Sequence, residues 1–333
     1  MNPLRVAVVG VGSFGRNHAR VIASLPDVEL RAVVDADETR GRAVAEEFGS
    51  AYVADLNLAM AEIDAAVVAT PTGTHEDIAS KLLNSGIDVL IEKPIAASSA
   101  AGERLSDLAE SKGRMLQVGH LERFNPAVLA LERNITVPLF FEIHRLSVFS
   151  PRSLDVDVVL DLMIHDLDIV LSITGQQPSE IHAAGISVLS PKVDIANVRL
   201  VFSTGCIANL TASRVSTEQV RKLRLFQPGE YISVDYHRQD ANRLAVAPPQ
   251  ALSATPKINF ESLPVEKSEP LKLELEAFFQ SVRTRSRPRV GGREGTAALR
   301  VAEAILVKIK EHADLVVQTI RRAKQPRPLQ ERH

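Results

Sequence analysis

Residues 4–15 read Leu4-Arg5-Val6-Ala7-Val8-Val9-Gly10-Val11-Gly12-Ser13-Phe14-Gly15. Leu4–Val9 is an almost continuous apolar run, as a strand buried on both faces should be. Glycines follow at G-x-G-x-x-G spacing, and Phe14–Leu25 then carries a helical pattern. Strand, glycine turn and helix in direct succession open a doubly wound sheet. The pattern continues. Glu29–Val34, Ala65–Ala69, Val89–Ile91 and Met115–Gly119 read as further strands. Helical stretches lie between them at Glu38–Phe48, Glu76–Ser85 and Glu103–Lys112, closed by Gly49, Gly86 and Gly113. Strands alternating with helices mean right-handed crossovers and a parallel sheet. The fold class expected is α/β, with an N-terminal Rossmann domain over residues 1–122.

The alternation breaks near Phe124–Pro126. Asn125–Asn134 looks helical, Leu139–Val148 looks like a strand, and Asp157–Thr174 is a strong helix. Ile181–Leu189, Ala196–Phe202, Cys206–Ser213, Lys222–Gln227 and Tyr231–Asp235 are strand-like and joined by turn signals. Ala247–Pro270 is proline-rich and irregular; helices follow at Leu271–Arg283 and Thr296–His312. Residues 123–320 are therefore expected to form a second, α+β domain with a large, mainly antiparallel open sheet. Residues 321–333 are expected to be a flexible tail.

Composition narrows the function. Across 333 residues, 39 Lys+Arg balance 41 Asp+Glu, so the chain has no global charge with which to bind nucleic acid or an anionic membrane. Cys206 is the single cysteine, which excludes an intrachain disulfide and a cysteine-rich zinc site. No apolar run approaches the roughly 18 residues that span a bilayer. The N-terminal apolar stretch runs into glycines rather than a cleavage site, so a buried strand is the better reading than a secretory signal. A reducing, cytoplasmic setting is expected.

The glycine turn has a specific chemistry. Gly10 permits the tight turn, Gly12 lets backbone approach a pyrophosphate, and Gly15 lets helix and strand touch. The helix start at Ser13 and Phe14 offers free N–H groups to the phosphates. Asp35 ends the second strand, placed to accept from the adenosine ribose hydroxyls and to repel a 2′-phosphate; NAD is favoured over NADP. Thr70 and Pro71 follow another strand and fall on the nicotinamide side. His75 either lies near them or caps the next helix. Glu92-Lys93-Pro94 follows a buried strand. Lys93 is either a donor to a substrate hydroxyl or a surface lysine on a strand-to-helix loop. Glu92 stands beside it at the cofactor edge.

Within Asp157–Thr174, Asp161 and His165 are four residues apart, on one helical face, with Asp168 further along the stripe. A histidine whose second nitrogen is fixed by a carboxylate is a usable proton acceptor near neutral pH. The alternatives are a satisfied buried histidine or, poorly supported with no second histidine on the stripe, a metal ligand. No metal is expected.

These residues together are recognisable. The chain resembles the Gfo/Idh/MocA oxidoreductases through Gly10–Gly15, Ala69-Thr70-Pro71, Glu92-Lys93-Pro94 and Asp161-x-x-x-His165, over nearly its whole length. The resemblance implies hydride exchange at a sugar or cyclitol carbinol, with Lys93 and His165 catalytic and Asp161 their acidic partner. It implies a cis Lys93–Pro94 bond, and a homodimer or homotetramer formed through the C-terminal sheet. Leu121 and Glu122 depart from the family's usual residues after the last Rossmann strand. The string Gly119-His120-Leu121-Glu122-Arg123-Phe124-Asn125-Pro126, with Arg145 and Arg152, is similar to a subgroup acting at the 3-position of UDP-N-acetylhexosamines, of the kind that starts lipid A amino-sugar synthesis. That resemblance makes Arg123, Asn125, Arg145, Arg152 and His165 the substrate-binding candidates. Arg214 and Arg238 are further arginines with the chemistry to hold a diphosphate. Tyr231 and Tyr236 either meet a sugar or uracil or are packing. A dehydrogenase of free sugars or inositol, and a non-catalytic NAD-binding regulator, are the competing readings.

Overall fold

Val6, Ala7 and Val8 have no exposed surface, and neither have Ala65–Val68 or Val89–Ile91. Strands this apolar need cover on both faces, which helical crossovers supply. The structure is a computed structural model; it describes residues 2–149, 156–246 and 258–323. The first sheet holds β1 (Leu4–Val9), β2 (Val28–Val34), β3 (Ala51–Val53), β4 (Ala65–Val68), β5 (Asp88–Glu92) and β6 (Leu116–Gly119). Its helices are α1 (Ser13–Ser24), α2 (Glu38–Glu47), α3 (Leu56–Met60), α4 (His75–Asn84) and α5 (Ser99–Ser111). Strand order is β3-β2-β1-β4-β5-β6, all parallel. The chain winds one way from β1 and returns the other way from β4. The crevice beyond β1 and β4, where ligands of such sheets bind, is where Gly10 and Thr70 lie.

After α6 (Pro126–Glu132) comes β7 (Phe140–Val148), then a wide π turn at Val159–Met163 that runs into α7 (Ile164–Thr174). The strands β8 (Glu180–Ile186), β9 (Ile195–Val201), β10 (Ile207–Ser216), β11 (Val220–Gln227), β12 (Glu230–Asp235), β13 (Asp240–Val246) and β14 (Ile258–Ser262) follow. They form an eight-stranded sheet of order β14-β13-β12-β11-β7-β10-β9-β8. Its pairings are antiparallel except β7 with β10. Alternate residues such as Phe141, Ile143, Leu223 and Leu225 point inward against Leu167, Val170 and Ile305. The last helices are α8 (Pro270–Thr284) and α9 (Gly292–Ala323).

Several features differ from the sequence expectation, and β3, α3 and β13 fall where no element was expected. Strand β14 lies inside the stretch read as irregular; all five of its residues are exposed, so it carries no burial alternation to read. Residues 157–174 are not one regular helix, because the π turn interrupts them. Helix α8 returns to the first domain, where Leu275, Phe278 and Phe279 join Val6, Val8 and Ile22 in one core. Residues 321–323 continue α9 rather than starting a tail; residues 324–333 lie outside the described residues. No helix among the described residues is long and apolar enough to cross a membrane.

Candidate active site

The glycine turn is shaped as a phosphate cradle. Gly10 has φ +83°, and a Cβ there would meet Thr70 Cγ2 at 2.7 Å. A Cβ on Gly15 would fall 1.8 Å from the Gly10 carbonyl oxygen, so helix and turn touch through bare backbone. Around Gly12 nothing lies within 4 Å of the Cβ position, and no side chain caps α1. Free N–H groups at a helix start facing open space suit a dinucleotide pyrophosphate. Ser13 opens that helix and Phe14 is 64% exposed beside it.

Asp35 ends β2 with its carboxylate already engaged. It accepts from Val11 N–H at 2.7 Å and Asp37 N–H at 2.8 Å, and pairs with Arg40 Nη2 at 2.6 Å. Burial opposes its charge, but these donors prevail and hold its carboxyl below the usual range. The bare carboxylate expected to repel a 2′-phosphate is therefore partly neutralised by Arg40. Thr70 and Pro71 stand at the end of β4 as expected from chain order. His75 does not offer a nitrogen to a ligand. Nδ1 lies 3.0 Å from the Pro94 carbonyl and Nε2 2.9 Å from that of Thr70. Of the two alternatives raised by the sequence, the structure places His75 beside Thr70, bridging two loops, and shows no side-chain cap on α4.

Lys93, Asp161 and His165 line one cleft of about 440 Å³, together with His18, Glu92, Glu122, Arg145 and Arg221. The Lys93–Pro94 peptide is cis. Lys93 Nζ donates to the Asp161 main-chain carbonyl at 2.7 Å and lies 3.4 Å from Oδ1 of the same residue. Glu92 does not reach outward: its Oε1 pairs with His18 Nε2 at 2.7 Å and its Oε2 accepts from Lys93 N–H at 3.2 Å. The expectation that Asp161 orients His165 is corrected. Asp161 meets Lys93, and Nδ1 of His165 is buried with no hydrogen-bond partner among the described residues. An ammonium attracts a carboxylate more strongly than a neutral imidazole does, and the π turn replaces the regular helical register on which the expectation rested. Burial, then Lys93 and Arg145, pushes the His165 imidazole well below its ordinary proton affinity. His120 stands edge-on to it, ring centres 6.0 Å apart, and is pushed down to about 3, by burial first and then by Lys93.

The substrate-side candidates divide. Arg145 lies in the cleft but is held twice, by Asp166 through Nε and Nη2 (2.8 and 2.7 Å) and by Glu122 through Nη1 (2.8 Å). Arg123 turns away into a separate depression beside Asp168, 3.5 Å distant, and Arg289. Asn125 caps α6, and its amide donates to Glu122 and to the Tyr236 carbonyl. Arg152 lies outside the described residues. Arg214 reaches the Val156 carbonyl and Asp194, and Arg238 sits at the β12–β13 turn. Tyr236 is buried under Arg145 and donates to Asp166, while Tyr231 stacks on Phe226.

Comparison with known proteins fits this geometry. Residues 4–120 match the model of an oxidoreductase family with an NAD-binding Rossmann fold, and residues 144–226 match the GFO/IDH/MocA C-terminal domain. The UDP-N-acetylglucosamine 3-dehydrogenase of Acidithiobacillus ferrooxidans is 33% identical over 316 residues, covering 92% of this chain and 97% of that protein. The chain belongs to the Gfo/Idh/MocA oxidoreductase family. The solved structure of the Acidithiobacillus ferrooxidans enzyme superposes with a TM-score of 0.87 at 32% identity, covering 93% of this chain and 99% of that one. An inositol 2-dehydrogenase of Rhizobium meliloti is 24% identical over 330 residues, covering 94% of this chain and 99% of that protein. This Gfo/Idh/MocA member is an NAD-binding oxidoreductase, and the glycine turn lies within the residues that match the NAD-binding Rossmann model.

Three charged residues around Arg145 have roles that the sequence does not show, and two of them, Glu122 and Arg221, line the cleft. Asp166 and Glu122 are the counter-charges of Arg145, and Arg221 has the same inward aspect. A signal existed for Arg221. In Val220–Gln227 it shares the alternating face of Leu223 and Leu225, a charge on an apolar stripe.

Proposed function

We propose that the protein oxidises the 3-hydroxyl of a UDP-N-acetylhexosamine to a ketone. NAD, when bound, takes the hydride from the carbinol carbon. The chain's own residues deal with the hydroxyl. An alkoxide is too basic to form unaided at neutral pH. The His165 imidazole, held neutral, takes the hydroxyl proton, and the Lys93 ammonium holds the oxygen and offsets its developing charge. Asp161 acts on Lys93, fixing the ammonium from carbonyl and carboxylate. The observation that carries this reading is the convergence of Lys93 and His165 in one cleft beside the glycine cradle. Likeness to the Acidithiobacillus ferrooxidans enzyme across 92% of the chain supports the nucleotide sugar as substrate. A free-sugar or inositol dehydrogenase is the second reading, favoured by the full-length likeness to the Rhizobium meliloti protein. Purified protein incubated with NAD and a panel of UDP-activated sugars, free sugars and inositols decides between them by NADH absorbance. Turnover confined to neutral polyols would remove the nucleotide-sugar reading.

The same reading makes the protein a homodimer or homotetramer through the outer face of the second sheet. Phe140, Phe226, Tyr231, Leu244 and Phe260 lie in register across five adjacent strands. Phe226 and Phe260 are 40% and 69% exposed, an apolar row that a second copy would cover.

A further inference from the structure

Arg221 and Arg145 are direct cross-strand neighbours on β11 and β7, both on the inward face. Like charges opposite each other destabilise a sheet unless each has a counter-charge. Arg145 has two, Glu122 and Asp166. Two further cations line the cleft: Lys93 has Asp161, and Arg20 has Glu269. Among the described residues Arg221 makes no side-chain hydrogen bond or ion pair, and its Nε is buried without a partner. Burial, then the charge of Arg145, lowers its proton affinity, yet a guanidinium stays charged at any working pH. Among the described residues the cleft therefore keeps one guanidinium that no carboxylate touches; Glu122 and Asp166 act on it only at longer range, while bonded to Arg145.

We propose that Arg221 is the anion-binding residue of the substrate site: it takes phosphate oxygens of the substrate. It thereby sets the preference for phosphate-bearing over neutral sugars. A guanidinium matches a phosphate through two parallel N–H donors, a geometry no hydroxyl of a free sugar repays. The glycine cradle at α1 already provides for the cofactor's own pyrophosphate, on the other domain. This inference rests on the nucleotide-sugar reading, and its test separates the two.

UDP is titrated by calorimetry into the full-length protein saturated with NAD. Four proteins are compared: wild type, Arg221→Gln, Arg221→Lys, and Arg224→Gln, which alters the outward face of the same strand. Arg221→Gln should weaken UDP by roughly tenfold to a hundredfold, the worth of a lost charge-assisted hydrogen bond. Arg221→Lys should recover part of this, and Arg224→Gln should bind as wild type. NAD affinity should be the same in all four, which also reports that the variants are folded. Wild-type UDP binding in Arg221→Gln overturns the proposal, as does an NAD affinity that falls with it, because the arginine would then serve the cofactor. Should wild type ignore UDP, the nucleotide-sugar reading fails and inorganic pyrophosphate decides on Arg221. Binding lost in Arg221→Gln upholds the anion site; no binding to wild type overturns it.

Discussion

Lys93, at the end of the first domain's fifth strand, donates its ammonium to the main-chain carbonyl of Asp161, on a π turn of the second domain, at 2.7 Å. The contact fixes the ammonium at the junction of the glycine turn and the cleft, with His165 four residues beyond Asp161. A general base contributes typically about 100- to 10,000-fold. His165→Ala should lower turnover on that scale while NAD binding is retained. Lys93→Ala should act similarly, and the double variant should lose less than the product, because both serve one proton transfer. Single-turnover NADH formation checks this; a near wild-type rate in His165→Ala would assign the proton to another group.

The pH dependence follows from the cations around His165. Burial and then Lys93 and Arg145 lower its proton affinity. A base must be unprotonated to act, and a lowered affinity keeps it unprotonated further into acid. The acid limb of kcat/KM, which reports the free enzyme, should fall below the ordinary imidazole value of about 6.5. A limb at or above that value contradicts the assignment of His165 as base.

Cofactor preference is expected to rest on Asp35 together with its partner Arg40. Wild type should prefer NAD. Asp35→Ser removes the ribose acceptor and releases Arg40, whose guanidinium would then face a 2′-phosphate. The ratio of kcat/KM for NAD over NADP should fall by roughly tenfold or more, the scale of one charged hydrogen bond. Asp35→Ser combined with Arg40→Ala should fall less towards NADP. An unchanged ratio in Asp35→Ser would show that neither residue meets the ribose.

The Arg145 cluster is a stability element as much as a wall of the cleft. Arg145 and Asp166 are 3% and 2% exposed at the side chain. Removing one partner of a buried pair costs about 3–5 kcal/mol. Asp166→Ala should lower the unfolding free energy by that order in urea titration, far more than Asp107→Ala, which breaks an exposed pair with Arg293.

Assembly is tested at Phe226. Phe226→Glu puts a charge in the centre of the exposed apolar row, and light scattering should then report a smaller particle than wild type. A wild-type monomer would remove the sheet as an interface.

The first domain was legible because its signals are local. Apolar runs, glycines at fixed spacing and an acid at a strand end dictate both elements and crevice, and Gly10, Gly12, Gly15 and Asp35 fall where spacing puts them. The second domain was legible as a mainly antiparallel sheet and in six of its eight strands, but not in β13 or β14. β14 is exposed throughout, so no burial alternation announces a strand, and its side-chain bonds, Glu261 to Arg243 and Ser262 to Asn242, are long-range. Spacing put Asp161 and His165 on one face but not Asp161 on Lys93, because that contact joins residues 68 positions apart. Arg123 and Asn125 were placed by motif alone. Which way Arg123 turns depends on Asp168 and Glu132, which the motif does not contain.

The central claim is that hydride leaves the 3-carbon of a UDP-activated N-acetylhexosamine while His165 takes the proton. The most direct measurement is single-turnover NADH formation with UDP-N-acetylglucosamine carrying deuterium at the 3-carbon, beside the same compound labelled at the 4-carbon. Slower NADH formation and label in the reduced cofactor are expected with the first compound only. Label transfer from the 4-carbon, or no NADH from either compound under conditions where a neutral sugar is oxidised, would contradict it.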